Sequence, residues 1–180
     1  FKMLESEEIF EDAIPLSIGS ATWANDNKTV FYSRKDETTL RPYRIYKHIL
    51  GTDHTKDKLI YQEDDEAFYC GVFKTKSKKY IMIVSGSTVS TEYRYINAEQ
   101  PGDNFKIIQA RERDLEYSID HFGEKFYIVT NLKAKNFRLM ATDVSNPRKE
   151  NWQEIIPHRT DVFLDCIDIF KDYLVVSERK

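Results

Sequence analysis

The sequence predicts an all-β fold: a β-propeller fragment with about three complete four-stranded antiparallel blades and partial blades at both ends. Three observations carry this. Four apolar segments, Val30–Ser33, Tyr80–Val84, Phe126–Val129 and Tyr173–Val176, have their first aromatics at 31, 80, 126 and 173, steps of 49, 46 and 47. Each is preceded by a further strand and a polar turn, and the first three are followed by two more strands. Aromatic side chains are abundant, with 11 Tyr, 11 Phe and 2 Trp, and these fit a pleated, half-buried surface better than a helix. A fixed repeat of about 40–50 residues holding four short strands is the pattern of a propeller blade. A β-sandwich would explain the short strands but not the period, and no 3.6-residue stripe competes.

The elements follow in order. Residues 3–12 resemble a lone fourth strand. The first blade, 20–62, opens with Ala21–Ala24 and turns through Asn25–Lys28, residues that favour tight turns. The central strand follows, apolar on both faces, and then Tyr43–Ile49 with period-2 alternation and the shorter Lys58–Tyr61. The second blade, 68–109, repeats this with Phe68–Phe73, the turn Lys76–Lys79, Tyr80–Val84, Glu92–Ile96 and Phe105–Ile108. The third, 116–157, uses Glu116–His121, Gly123–Lys125, Phe126–Val129, Phe137–Thr142 and Trp152–Ile156. Arg44, Arg94 and Arg138 take the same place in the three third strands. Residues 163–180 supply two strands of a further blade.

A closed propeller needs at least about four complete blades, so the chain reads as a piece from the middle of a larger ring. The outer faces of the first and last blades should then expose apolar side chains, and Tyr173–Ser177 should offer an unpaired edge. Both favour self-association.

Composition narrows the partners. The formal net charge is −3, a poor match for nucleic acid or an anionic membrane. The longest apolar run, Tyr80–Val84, is far shorter than the roughly 20 residues of a membrane helix. Phe1-Lys2-Met3-Leu4-Glu5 turns acidic at once, so no signal peptide is visible, and the absent initiating Met suggests a chain cut from something longer. Cys70 and Cys166 lie in separate apolar runs. They read as two buried thiols in a reducing compartment rather than a disulfide or zinc framework.

No catalytic motif is present. There is no Gly-x-Ser-x-Gly elbow, no glycine-rich phosphate loop and no His-Glu-x-x-His, so no catalytic, cofactor-binding or metal-binding residue is assigned. His48, His54, His121 and His158 are scattered and read as strand-end or turn residues. Asn27-Lys28-Thr29 is a glycosylation sequon only in form, since it falls in a tight turn. Three charged clusters follow the fourth strands: Glu63–Glu66, Arg111–Glu116 and His158–Asp161. Strands alternate in direction, so these connections and the loops between second and third strands emerge on one side of the disc. Two readings stand: a solvated rim, or a face that meets a partner domain or lines the mouth of the central channel. The candidate residues are Arg111, Arg113, Asp114 and Glu116.

Several motifs carry a family likeness. Trp23-Ala24-Asn25-Asp26 leads into Phe31-Tyr32-x-Arg34-Lys35, Leu40-Arg41-Pro42-Tyr43, His48-x-Leu50-Gly51-Thr52 and Leu59-Ile60-Tyr61-x-Glu63-x-Asp65. Lys74-Thr75-x-Ser77-Lys78, Asp114-x-Glu116-Tyr117-Ser118-x-Asp120-His121, Lys135-Asn136-Phe137 and Trp152-x-Glu154-x-Ile156-Pro157 continue it. From residue 22 onward the chain resembles the propeller of the oligopeptidase B (protease II) branch of the prolyl oligopeptidase family of serine peptidases.

That resemblance implies a two-domain cytoplasmic enzyme of bacteria or protozoa, needing no metal or cofactor. A seven-bladed propeller would cap an α/β-hydrolase domain whose Ser-His-Asp triad cleaves short peptides after Arg or Lys. The propeller would exclude folded proteins. The hydrolase domain is absent from this chain, so the fragment should be inactive. Its partners would be the peptidase domain of the same polypeptide and short basic peptides. The alternative is a stand-alone propeller scaffold that binds protein partners, since a fold does not name a function.

Overall fold

The computed structural model describes residues 1–180. Three four-stranded antiparallel sheets and one hairpin follow one another along the chain. The first sheet is β1 (Ser17–Trp23), β2 (Thr29–Lys35), β3 (Pro42–Ile49) and β4 (Lys58–Gln62). The second is β5 (Tyr69–Lys74), β6 (Tyr80–Gly86), β7 (Thr91–Asn97) and β8 (Lys106–Gln109). The third is β9 (Tyr117–Phe122), β10 (Lys125–Thr130), β11 (Arg138–Asp143) and β12 (Gln153–Ile156), and the hairpin is β13 (Phe163–Ile169) with β14 (Leu174–Arg179). Within each sheet the strands lie in chain order. The sheets do not close into a ring, so the fold is a β-propeller fragment.

The core lies between sheets, not within one, which explains the doubly apolar central strands. Successive side chains of a strand point to opposite faces. In β6, Ile81 and Ile83 pack toward the first sheet with Phe31, Ile45 and Val72. Tyr80 and Met82 point the other way and pack with Phe126, Ile128 and Tyr117 of the third. Phe126 is fully buried, its ring 5.2 Å from that of Tyr95 and 5.6 Å from that of Tyr80. A smaller cluster of Val129, Leu139 and Leu164 joins the third sheet to the hairpin.

The turns obey local chemistry. Asp26 Oδ1 accepts from the backbone N–H groups of Lys28 and Thr29 at 2.9 and 2.8 Å, while Asn27 takes φ 54°, a conformation asparagine tolerates. Gly123, at φ 61°, allows a two-residue hairpin turn between β9 and β10.

Three expectations need correction. Residues 3–12 form no strand. The chain reverses at Glu7, φ 58°, leaving one bridge between Lys2 and Ile9. The acidic run Glu5, Glu7, Glu8, Glu11 offers no apolar face for a sheet to bury. Secondly, the outer face of the first sheet is not bare. Phe1 packs edge-on against Trp23 and stacks on His48. Asp12 Oδ2 accepts from the Gly51 N–H at 2.6 Å and lies 3.2 Å from His48 Nε2. Val30, Tyr32 and His48 are therefore buried. Thirdly, only Cys70 is a core thiol; Cys166 is exposed. A bulge between Leu164 and Cys166 resets the alternation. Ile167 then packs on the third sheet and Cys166 faces away. Burial, with the charge of Glu63 adding to it, pushes the Cys70 thiol up to about 12.

The apolar exposure gathers instead on the hairpin, where Phe170, Tyr173, Leu174 and Val175 are all exposed and β14 has one neighbour only. The 180-residue chain should therefore associate through this hairpin. Sedimentation velocity over a hundredfold concentration range should show a dimer that Tyr173→Lys and Val175→Lys abolish; a single monomeric species throughout would refute it.

Candidate functional site

The connections that leave each fourth strand are clasped by the loop between second and third strands, three times over. In the first sheet Arg41 donates to the carbonyls of Phe68 and Asp65 at 2.7 and 3.0 Å and to that of Glu63 at 3.2 Å. In the second, Ser90 Oγ donates to the Glu112 carbonyl at 2.9 Å. In the third, Asn136 Nδ2 donates to the carbonyls of Arg159 and Thr160 at 3.0 and 2.9 Å. A donor side chain in one loop satisfies carbonyls of a connection that has no ladder partner.

A closed circuit of charge joins two of these connections. Arg111, just after β8, pairs with Glu63, just after β4. Glu63 is buried and also accepts from Ser85 Oγ, from Tyr61 OH at 2.7 Å and from the Asp65 N–H at 3.0 Å. The Arg111 N–H donates to Glu92 Oε2 at 3.0 Å. Glu92 pairs with Arg94, and Arg94 lies over the Tyr61 ring at 4.3 Å, returning to the first sheet. The Arg111 guanidinium itself lies 3.9 Å from the centre of the Phe68 ring. The circuit holds two carboxylates and two guanidiniums, linked through the Arg111 backbone N–H and the Tyr61 ring and hydroxyl, so it is formally neutral. Burial works against ionisation of Glu63, but hydrogen bonds from Arg111, Ser85 and Tyr61 outweigh it and hold the carboxyl down to about 2.

The four candidate residues thus divide. Arg111 points inward and seals the seam between sheets. Arg113 and Asp114 stand out at the tip of the connection, their side chains 93% and 74% exposed. Glu116 is tied down by Asn131, whose Oδ1 accepts from the Glu116 N–H at 2.9 Å and whose Nδ2 donates to Glu116 Oε1 at 3.3 Å. Sequence reasoning did not pair Glu63 with Arg111, nor Asp12 and Asp57 with His48, whose Nδ1 lies 2.8 Å from Asp57 Oδ1. The first pairing had a signal: both residues head the charged cluster in their repeats.

The whole sequence, residues 1–180, matches the family described as the prolyl oligopeptidase N-terminal β-propeller domain. The chain belongs to that family. It is 37% identical over 180 residues to a dipeptidyl aminopeptidase BI of Pseudoxanthomonas mexicana, covering 99% of this chain and 25% of the relative. It is 26% identical to a protease 2 of Moraxella lacunata, covering 99% of this chain and 26% of that one. Its fold superposes on oligopeptidase B from Leishmania major with a TM-score of 0.91 at 26% identity, covering 99% of this chain and 25% of that chain. The chain therefore spans about a quarter of the length of these relatives.

In this prolyl oligopeptidase propeller, removing one member of the Glu63–Arg111 pair should weaken the first seam far more than any change at the exposed tip of the connection. Breaking a buried pair leaves the other charge uncompensated, at about 3–5 kcal/mol. Arg111→Met, which strands the buried Glu63 carboxylate, should approach that loss in urea denaturation; Glu63→Gln, which leaves a guanidinium 29% exposed, should lose less, and Arg113→Ala should change stability by less than about 0.5 kcal/mol. A carboxyl held near 2 when folded and near its ordinary 4.5 when unfolded stabilises fully above pH 4.5. That contribution, on the order of 3 kcal/mol, fades as pH falls toward 2, so the acid limb of a stability–pH curve should flatten in Glu63→Gln.

Proposed function

We propose that this chain is the non-catalytic propeller portion of a cytoplasmic serine oligopeptidase that cleaves short peptides after Arg or Lys. In this reading it controls which peptides reach a peptidase domain of the same polypeptide. The observation that carries the reading is the match of all 180 residues to the propeller domain of this peptidase family. The names of two relatives, protease 2 and oligopeptidase B, point to the same branch.

The chemistry divides sensibly. Acyl transfer needs a nucleophile, an orienting base and an oxyanion hole. A stack of sheets offers a rigid wall instead, whose outline selects what passes and whose closure keeps water from the reacting centre. Arg113 and Asp114 stand free on the clasped side, where they would meet the peptidase domain. Arg111 and Glu116 hold the connection that presents them.

A second reading has its own support. The relative with 37% identity is named a dipeptidyl aminopeptidase, which suggests release of dipeptides from a free N-terminus. Two substrates separate the readings: an Arg-linked chromogenic amide with a blocked N-terminus, and the same peptide unblocked. The polypeptide carrying the peptidase domain should hydrolyse the blocked amide. Hydrolysis of the unblocked peptide alone would favour the aminopeptidase, and hydrolysis of neither would leave a binding scaffold. The 180-residue chain alone should turn over neither substrate. In the longer polypeptide, Arg113→Ala with Asp114→Ala should lower kcat/KM severalfold, and an unchanged value would return these two residues to the solvated rim.

A further inference from the structure

One contact in the fragment skips a sheet. The turn between β5 and β6 spans residues 75–79, whereas the corresponding turn of the third sheet is only Gly123 and Glu124. The longer turn overhangs the shorter one and is pinned to it. The Lys76 N–H donates to Asp120 Oδ1 at 3.1 Å, and Ser77 Oγ lies 2.8 Å from His121 Nδ1. From that footing the Lys76 ammonium passes the third sheet and pairs with Asp168 of β13. It also lies 3.6 Å from the centre of the Phe170 ring. Lys79 of the same turn pairs with Glu124 at 2.9 Å, and Lys74 Nζ donates to Asn25 Oδ1 at 2.8 Å on the first sheet.

β5, β9 and β13 are each the first strand of their unit. A contact between second and fourth units is possible only where first strands converge, which in a propeller is the central channel. We propose that the β5–β6 turn is a bar across the mouth of this channel, fastened by Lys76 to Asp168 and Phe170, and that its release sets the size of peptide admitted. The size-selective part rests on the gating reading above; the bar itself does not. The bar is built to open. Its footing is the Lys76 backbone N–H on Asp120 and Ser77 on the buried His121, while its far end is an ion pair with side chains 39% and 62% exposed. Pairs so exposed are weak and screened by salt.

Hydrogen exchange on the 180-residue chain, at a concentration where sedimentation shows only monomer, tests the bar. Lys76→Ala should raise amide exchange of residues 163–175 and 75–79 at least threefold and leave β2 unchanged. Lys76→Arg should keep the wild-type pattern, and 1 M NaCl should move the wild type toward Lys76→Ala. Exchange of 163–175 that is the same in Lys76→Ala and wild type would overturn the bar. So would a rise that extends equally to β2, since that is general destabilisation. A second arm uses the polypeptide carrying the peptidase domain and blocked peptides of increasing length ending at Arg. Lys76→Ala should raise kcat/KM at least threefold for the longest and leave the shortest unchanged. Equal ratios at every length would refute size selection by the bar. No hydrolysis of any peptide by the wild type would refute the gating reading instead, with the exchange result still deciding the bar.

Discussion

Everything in this fold depends on one sheet sealing the next face to face. A lone four-stranded sheet of this sequence could not bury β6, because its side chains are apolar on both sides. Ile81 and Ile83 need the first sheet, and Tyr80 and Met82 need the third. Each buried aliphatic or aromatic side chain contributes about 1.5–3 kcal/mol, and those contributions exist only when neighbours stack. The period of 46 to 49 residues between central aromatics is the sequence trace of that requirement. Each repeat must return a doubly apolar strand to the same depth.

The polar circuit around Glu63 and Arg111 answers a problem that stacking creates. The connection from an outermost strand to the next innermost one must cross the seam, and its backbone there has no ladder partner. Arg41, Ser90 and Asn136 satisfy carbonyls in the three successive crossings. At the first seam the sheets also share charge, from Glu63 through Arg111 to Glu92 and Arg94. A buried ion pair adds little net stability compared with an apolar replacement, but losing one partner is costly. The circuit therefore penalises any sheet that docks in the wrong rotation. Apolar packing draws the sheets together, and charge fixes how they meet.

Much of this was legible because it is local. Turn chemistry at Asn25–Lys28, alternation in Tyr43–Ile49 and the repeated aromatic positions locate twelve of the fourteen strands to within two residues. The exceptions are β1, beginning at Ser17, four residues before Ala21, and β14, running to Arg179, three beyond Val176. What escaped depends on contacts between distant segments. Cys166 sits in an apolar run yet is exposed, because a bulge shifts the register of β13. Residues 3–12 read as a strand by their place before the first repeat, yet their apolar side chains come in adjacent pairs, Met3-Leu4 and Ile9-Phe10, and the segment lies against the first sheet instead of joining one. Asp12 finds His48, 36 positions on, a pairing invisible to any window that reads one element. The candidate cluster was half legible for the same reason. Its charge announced a crossing, but whether a residue faces the seam, as Arg111 does, or solvent, as Arg113 does, depends on where the preceding sheet puts Glu63.

The Lys76 contact shows where the modular picture stops. In stacked repeats each unit normally touches only its neighbours, so stability is a sum of repeats and seams. Bending the stack around an axis changes this, because the inner ends of non-adjacent units come within reach of a lysine side chain. A turn of five residues in the second sheet beside one of two in the third is enough to couple units two seams apart. Such a contact belongs to the curvature, not to any single repeat, and turn length is the cheapest variable by which evolution could make or remove it. On the gating reading proposed above, the seams must be strong to keep a wall intact, and the buried Glu63 fits that need. A contact across the axis can be weak, and the exposure of Lys76 and Asp168 makes it so. Strength at the seams with weakness across the axis is the distribution a wall needs if its opening is to yield before its joints do.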